Sequence, residues 1–177
     1  MRICFVLPVA HRTPVGGYKI VFEYANRLSD AGHRISLLFL NDELLSRYHL
    51  PKLLDKELCH FLTKIRPNWF TLNTRINKIS SLDNDANEVL HHSDVLIFTA
   101  VETVLKLWNQ ASKINCKKAY FIQGYENWNV LDEKCQKTYG LEMTNIVISK
   151  WLKDIVDRYS REPSVLIRDP IDLSVYK

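Results

Sequence analysis

The first forty residues constrain the fold more than any other part of the chain. Residues 3–7 form a continuous apolar run that predicts a buried strand, and residues 35–40 form a second one. Between them lie a loop that ends in two adjacent glycines and an amphipathic stretch over residues 18–31, which predicts a helix. Gly32 follows that stretch, and glycine is common just after a helix. This strand–loop–helix–strand order is typical of a parallel sheet with crossover helices.

The rest of the chain repeats this alternation. Short apolar runs predict further strands at residues 76–79, 94–99, 118–123, 145–149 and 164–167. Periodic apolar positions predict helices over residues 50–65, 83–91, 101–113 and 150–159, the second of them capped by Asp83. Continuous apolar strands are covered on both faces. We therefore predict an α/β fold, a Rossmann-like parallel sheet with helices on both faces and right-handed crossovers.

The composition is that of an ordinary soluble globular domain. The 177 residues are 46% hydrophobic and 25% charged, and the length fits one domain with a real core. A net charge of +4 is too mild to indicate a nucleic-acid partner. No run approaches the roughly 18 apolar residues of a membrane span, and the apolar start is too short for a signal peptide.

Cysteine and histidine spacing indicates neither a disulfide set nor a metal site. The four cysteines are Cys4, Cys59, Cys116 and Cys135. None forms a CxxC pair, which favours reduced thiols in a cytosolic protein. The six histidines lack zinc-ligand spacing, so no metal is expected.

Gly16 and Gly17 predict a phosphate contact. Paired glycines at the start of a helix leave backbone N–H groups accessible, and the helix dipole adds partial positive charge there. The alternative is a plain tight turn before the helix. Neither GxGxxG nor a P-loop lysine motif is present, which argues against a dinucleotide or P-loop site.

Ligands of such a sheet bind beyond the carboxyl ends of its strands, and several predicted strands end in polar or aromatic residues. Segment 123–128 combines aromatic faces with amide and carboxylate groups, as a sugar site requires, unless its aromatics fold back onto the core. Ser149 is equally explained as a helix N-cap. Glu102 and Glu126 are acidic residues suited to act as a base. The candidate ligand contacts are His11, Thr99, Gln123, Tyr125, Glu126 and Ser149.

Basic residues gather in two parts of the sequence. They are Lys64, Arg66, Arg75 and Lys78 in the first part, and Lys113, Lys117 and Lys118 in the second. Such residues usually form a solvated face. A weak peripheral hold on anionic lipid is the alternative.

Several segments together resemble the amino-terminal domain of family 4 glycosyltransferases, which are retaining enzymes with two facing Rossmann-like domains, the GT-B fold. The first set of segments comprises residues 5–8, the glycine pair at 16–17, and residues 25–28 and 31–35. Residues 120–126 resemble a rhamnosyltransferase-like branch of that family. Residues 168–176 are similar to the passage that leads into the second domain, with its Asn-Gly pair replaced. The resemblance covers essentially the whole chain.

The resemblance implies a division of labour between two domains. Residues 1–177 would form the acceptor-side domain, with Gly16 and Gly17 over the donor diphosphate and the candidate contacts of the strand ends facing a glycan or lipid-linked acceptor. A carboxy-terminal donor domain, absent from this chain, would bind the nucleotide sugar and carry the family's glutamate pair, so this chain alone would be nearly inactive. No cofactor or metal is implied. The expected setting is bacterial cell-surface polysaccharide assembly, in the cytoplasm or on the inner face of the plasma membrane.

Two other functions fit the same residues. One is a non-catalytic partner subunit that supplies this half to another chain of a two-chain glycosyltransferase. The other is a nucleotide- or flavin-binding module of the doubly wound class, which would need a complete phosphate site within these residues.

Overall fold

The computed structural model describes residues 1–41, 52–128 and 130–169. Its strands are β1 (Arg2–Leu7), β2 (Arg34–Phe39), β3 (Asn77–Ser80), β4 (Val95–Phe98), β5 (Lys117–Ile122), β6 (Thr144–Val147) and β7 (Val165–Leu166). The helices of the described part are α1 (Gly16–Asp30), α2 (Lys52–Ile65), α3 (Ala86–His92), α4 (Val101–Ala111), α5 (Asp132–Tyr139) and α6 (Lys150–Val156).

The seven strands form one sheet in the order β3-β2-β1-β4-β5-β6-β7. Every neighbouring pair is parallel, which confirms the predicted Rossmann-like sheet. The chain order reverses between β1 and β4, which lie side by side. The carboxyl ends of these two strands are where a doubly wound sheet opens its ligand crevice.

Side chains of alternate residues in each strand enter two separate cores, one on each face. On one face Ile3, Phe5 and Leu7 pack with residues of α1. On the other face Cys4 and Val6 pack with residues of α3, α4, α5 and α6. The prediction of helices on both faces is therefore confirmed.

No disulfide joins Cys4, Cys59, Cys116 and Cys135 in the part of the chain that the structure describes. Three of these thiols are buried, and burial raises the pKa of the Cys4 thiol to about 12.

Helix α1 begins at Gly16, two residues before the predicted start, and ends just before a turn at Gly32. Gly32 has a φ of +87°, a left-handed conformation that glycine adopts without a Cβ penalty. The N–H of Gly32 donates to the Ser29 carbonyl at 3.1 Å and that of His33 to the Leu28 carbonyl at 3.0 Å. This turn sends the chain directly into β2.

Two predictions about helices need correction. Asp83 does not cap a helix, because α3 begins only at Ala86 and its N-cap position is Asp85. The Asp83 carboxylate instead accepts the Ser80 N–H at 2.9 Å and contacts Nδ1 of His60 at 2.9 Å. Helix α5 was missed because its sequence, DEKCQKTY, carries little apolar periodicity.

Parts of two predictions lie outside the described residues. They are the start of the helix predicted over residues 50–65 and residues 170–176 of the carboxy-terminal motif. No helix in the described ranges is both long enough and apolar enough to cross a lipid bilayer.

Candidate functional site

A cleft of about 750 Å³ opens at the carboxyl ends of β1 and β4. The loop after β1 and the first turn of α1 form part of its wall, and the start of α4 and the segment after β5 form the rest. Gly17, Gln123, Glu126, Thr99 and His11 all line it. Five of the eight residues predicted for the site are thus brought together around one cavity.

The loop after β1 is fixed to the body of the domain near Val9. The Tyr18 hydroxyl donates to the Val9 carbonyl at 2.8 Å and accepts the Val9 N–H at 3.1 Å. The Ala10 N–H donates to Oδ1 of the buried Asn41 at 3.3 Å. These contacts give this part of the cleft wall a defined position before any ligand enters.

Two side chains from the region after α2 fix the same loop from the other side. The Arg66 guanidinium donates to the Ala10 carbonyl at 3.1 Å, and Trp69 Nε1 donates to the His11 carbonyl at 3.3 Å. They lie 56 and 58 residues along the chain from their partners. The His11 ring contacts the Tyr18 ring edge-on, with centroids 5.0 Å apart.

The first turn of α1 presents backbone donors beside the cleft. No side chain caps this helix, and the N–H groups of Gly16 and Gly17 have no partner within the described residues. Gly16 is exposed, and Gly17 lines the cleft. Gln123 Nε2 donates to the Gly17 carbonyl at 3.1 Å, which ties the end of β5 to the start of α1. A helix start of this kind suits an anion.

Glu126 is the most perturbed acidic group of the cleft. Its Oε2 accepts the Val101 N–H at 2.6 Å, so the carboxylate occupies the amino terminus of α4. Burial raises the pKa of Glu126 to about 7, with a smaller contribution from the charge of Glu102, while the Val101 N–H acts in the opposite direction. A carboxyl group poised near neutrality is suited to proton exchange or to hydroxyl recognition.

Thr99 lines the cleft, but its hydroxyl is already engaged. Oγ1 donates to the Val6 carbonyl at 2.8 Å, and the side chain is buried. Thr99 therefore joins the ends of β1 and β4 at the floor of the cleft.

Tyr125 and Ser149 are not among the residues that line the cleft. The Tyr125 hydroxyl accepts a hydrogen bond from Gln136 Nε2 at 3.0 Å, and its ring packs against the core. The Ser149 hydroxyl accepts the Leu152 N–H at 3.2 Å, which confirms the N-cap alternative for this residue.

The cleft is also lined by Arg12, Arg66 and Trp128, which were not among the candidate contacts chosen from the sequence. Arg12 lies in the loop after β1, so its position relative to that strand was an available signal. Trp128 belongs to the aromatic segment that the sequence singled out. Arg66 had no local signal, because it reaches the cleft only through the tertiary fold.

Two of the basic residues predicted to form a surface face, Lys78 and Lys118, donate hydrogen bonds to backbone carbonyls. Lys78 Nζ donates to the Arg66 carbonyl at 2.9 Å and to the Lys64 carbonyl. Lys118 Nζ donates to the Ile114 carbonyl at 2.7 Å. These contacts account for Lys78 and Lys118 without a lipid ligand, and contact with anionic lipid stays a prediction.

No group of three or more His, Cys, Asp or Glu side chains able to hold a metal ion occurs in the part of the chain that the structure describes. No protein-family model matches the sequence, and no curated protein matches it.

Crystal structures of Anabaena Alr3699/HepE match this fold. The complex with UDP superposes with a TM-score of 0.64 at 12% identity, and the complex with UDP-glucose with 0.65 at 12%. The complex with UDP and glucose gives 0.63 at 14%. Each match covers 99% of this chain and 46% of the HepE chain, so this chain spans just under half the length of HepE. The architecture of this chain is that of one half of a GT-B fold.

Proposed function

We propose that this chain is the acceptor-side half of a glycosyltransferase that uses a nucleotide sugar as donor. The observation that carries the proposal is the pair of N–H groups of Gly16 and Gly17, which have no partner among the described residues and lie at the start of α1 beside the cleft. The fold likeness to HepE, whose crystals hold UDP or UDP-glucose, supports a nucleoside diphosphate as the anion.

The chemistry of the transfer suits these donors. When the bond between the anomeric carbon and the phosphate oxygen breaks, the nucleoside diphosphate leaves with the bonding electrons and gains negative charge. Backbone N–H groups that already point at this charge stabilise the transition state without reorganising, and removal of one such donor typically costs about 2.7–4 kcal/mol. Arg12 and Arg66, which also line the cleft, add positive charge.

We place the acceptor on the other side of the same cleft, at Gln123 and Glu126, with Thr99 and His11 nearby. Glu126 offers a carboxylate to hydroxyl groups. Gln123 holds the start of α1 in position through its hydrogen bond to the Gly17 carbonyl. Tyr125 and Ser149 have internal partners and are left out of this proposed site.

The finer assignments rest on the sequence resemblance. They are membership of family 4, a rhamnosyltransferase-like specificity, retention of the anomeric configuration, and a role in bacterial cell-surface polysaccharide assembly at the inner face of the plasma membrane. In this proposal a second domain binds the nucleoside, so the chain alone binds donor weakly and turns over little. No metal or other cofactor enters the proposed transfer.

The test is a titration of the full chain with inorganic pyrophosphate and with UDP, followed through backbone amide resonances. We expect both ligands to shift the amides of Gly16 and Gly17, with affinities in the millimolar range. Gly17→Ala is expected to weaken both by about tenfold, because the added methyl group occupies the approach to the N–H groups. A Cβ at Gly17 would lie 3.4 Å from Gln123 Nε2, an ordinary contact, so the variant should fold.

Gly32→Ala, at the opposite end of the same helix, is the matched control and should bind pyrophosphate as the parent protein does. The proposal fails if pyrophosphate shifts no amide at the start of α1, or if Gly17→Ala binds it with unchanged affinity.

A further inference from the structure

The charges that line the cleft come from two separate parts of the fold. Arg12 lies in the loop after β1, and Arg66, which directly follows α2, donates to the Ala10 carbonyl of the same loop. Glu102 and Glu126 belong to α4 and to the segment after β5. Because β5 lies beyond β4 in the sheet order, the carboxylates approach the cleft from the side away from β2. A single ligand spanning the cleft therefore meets positive charge at one end and negative charge at the other.

The negative end disfavours an anionic group and favours hydroxyl groups. One oxygen of Glu126 is fixed by the Val101 N–H at 2.6 Å, so the orientation of the carboxyl group is set by α4. A carboxylate in a partly desolvated cleft is a strong acceptor for O–H donors. A phosphate or a second carboxylate beside Glu102 and Glu126 would experience like-charge repulsion.

An exposed aromatic ring stands at this same end. Trp128 lines the cleft with 70% of its surface exposed. It lies over Gly124, since a Cβ at Gly124 would be 3.9 Å from Cη2 of the indole. The negative face of an aromatic ring attracts the weakly positive hydrogens of C–H groups. One face of a pyranose ring is made of such groups, and its edge carries hydroxyls.

We propose that Glu126, Glu102 and Trp128 form a subsite for a neutral pyranose, so that the acceptor is an uncharged sugar unit and not a sugar phosphate, a uronic acid or a lipid phosphate. This inference rests on the proposed function, because it names the acceptor class of the same cleft. Trp128 stacks on the C–H face of the sugar and Glu126 accepts its hydroxyl groups.

The surroundings of Trp128 leave two sources for such a sugar. A shallow hollow beside the indole is lined by Val130 and Leu131, with Asn127 and Asp132 at its polar part, and Leu131 is 72% exposed. A free glycan end would leave this hollow empty. The sugar of a glycolipid would place the start of its alkyl chain there.

The test uses the full chain without nucleotide and follows the indole N–H resonance of Trp128, assigned with Trp128→Phe. The probes are methyl glycopyranosides of the gluco, galacto and manno series, each compared with its methyl uronide. At least one neutral glycoside should bind, with millimolar affinity. Trp128→Ala should weaken it by about tenfold, and Trp128→Phe should stay within about threefold. Trp151→Ala removes an indole that is 60% exposed on α6, away from the cleft, and should change nothing.

Charge is tested by comparing uronides with neutral glycosides at about pH 8 and about pH 5.5, on either side of the carboxyl titration. At about pH 8, uronides should bind about fivefold more weakly than the matching neutral glycosides. This difference in affinity should shrink at about pH 5.5 and in Glu126→Gln. Besides Glu102, whose charge acts on Glu126, the titratable groups that interact with Glu126 are Tyr120, Cys135 and Tyr139. Burial raises the pKa of Tyr120, Cys135 and Tyr139, so these three groups stay protonated at both pH values.

Octyl β-glucoside below its micelle concentration distinguishes the two sources. Tighter binding than the methyl glucoside, abolished by Leu131→Ala, indicates a lipid-linked sugar, and equal binding indicates a free glycan end. Both outcomes support the subsite. The inference is overturned if no neutral glycoside binds, if Trp128→Ala binds as the parent does, or if uronides bind as well as neutral sugars. Pyrophosphate binding at Gly16 and Gly17 is measured separately, so the proposed function can survive that result.

Discussion

At the scale of single residues, the cleft depends on a carboxyl group whose ionisation is costly. Glu126 is partly buried, and one of its oxygens binds the Val101 N–H. That hydrogen bond favours the ionised form, but burial has the larger effect and raises the pKa to about 7 from an ordinary 4.5. The folded chain therefore keeps a proton that the unfolded chain releases between these two values. The stabilisation from this proton is full below about pH 4.5 and is lost as the pH rises through about 7.

We therefore expect Glu126→Gln to change the pH dependence of stability. The amide is neutral at every pH, and its carbonyl oxygen can still accept the Val101 N–H. The parent should lose unfolding free energy as the pH rises from about 5 to about 8, and the variant should not. The difference between variant and parent should therefore grow over this range by on the order of 3 kcal/mol at most, from about 1.4 kcal/mol per unit of pKa. Urea unfolding at the two pH values measures this difference.

Glu133→Gln is the matched control for this experiment. Glu133 is exposed and pairs with Lys137 at 2.7 Å, which lowers its pKa, so it does not titrate in this range. Its stability difference from the parent should be the same at both pH values. Parallel curves for Glu126→Gln and the parent would contradict the assigned burial of Glu126.

The residues that follow a strand could be predicted from the sequence, but the direction in which each of their side chains points could not. The sequence places Tyr125 and Glu126 side by side after one strand. In the structure Glu126 turns into the cleft while Tyr125 turns to Gln136 on α5, a helix whose polar sequence gave no warning of its presence. Which of two adjacent residues faces a site depends on such neighbours.

At the scale of secondary structure, the turn between α1 and β2 depends on one backbone conformation. Gly32 has a φ of +87°, and a Cβ there would meet no atom within 4 Å. The cost of a side chain is therefore that of the left-handed backbone alone. Gly32→Ala should lower the unfolding free energy by about 1 kcal/mol.

Two variants make this prediction specific. Gly32→Asn should recover part of the loss, because asparagine tolerates the left-handed region better than alanine. Gly16→Ala, where a Cβ also meets no atom and φ is not positive, should be neutral or slightly stabilising. Chemical denaturation of the three variants measures the order of their unfolding free energies. The left-handed conformation assigned to Gly32 is wrong if Gly32→Ala is as stable as Gly16→Ala.

The strands were predictable because each is a short apolar run between polar ones, and all seven were expected within a few residues of their observed bounds. The starts of the helices were harder to predict from the sequence. Asp83 has the right residue type for a cap, but its carboxylate is used by the Ser80 N–H and by His60. A local signal for a cap cannot reveal that a partner from a distant helix competes for the same oxygen atoms.

At the scale of the whole molecule, the position of the candidate site follows from the strand order. The alternation of strands and helices predicts a parallel sheet but not which strands are neighbours. The observed order brings β1 beside β4, so that Thr99 contacts the Val6 carbonyl of β1 and Gln123 contacts the Gly17 carbonyl. The contacts that shape the wall near Ala10, from Asn41 and Arg66, span 31 and 56 residues, which no local pattern predicts.

Asn41 connects three separate parts of the molecule. Its Oδ1 accepts the Ala10 N–H, and its Nδ2 donates to Thr63 of α2 at 2.8 Å and to Ser80 of β3 at 3.0 Å. Asn41→Ala leaves these buried groups without partners and should cost about 1–3 kcal/mol of unfolding free energy. Asn87→Ala, which removes an exposed hydrogen bond to Gln110, should cost under about 0.5 kcal/mol. Equal losses in urea unfolding would contradict a structural role for Asn41.

The anchoring of the loop after β1 has a thermodynamic consequence for whatever binds there. Tyr18, Asn41, Arg66 and Trp69 hold that backbone in place. A ligand consequently loses no affinity to freezing this segment, since the conformational entropy of its ordering was already spent during folding. Any change in the shape of the cleft on binding is then expected at its other wall, formed by the start of α4 and the segment after β5, while this wall keeps its position.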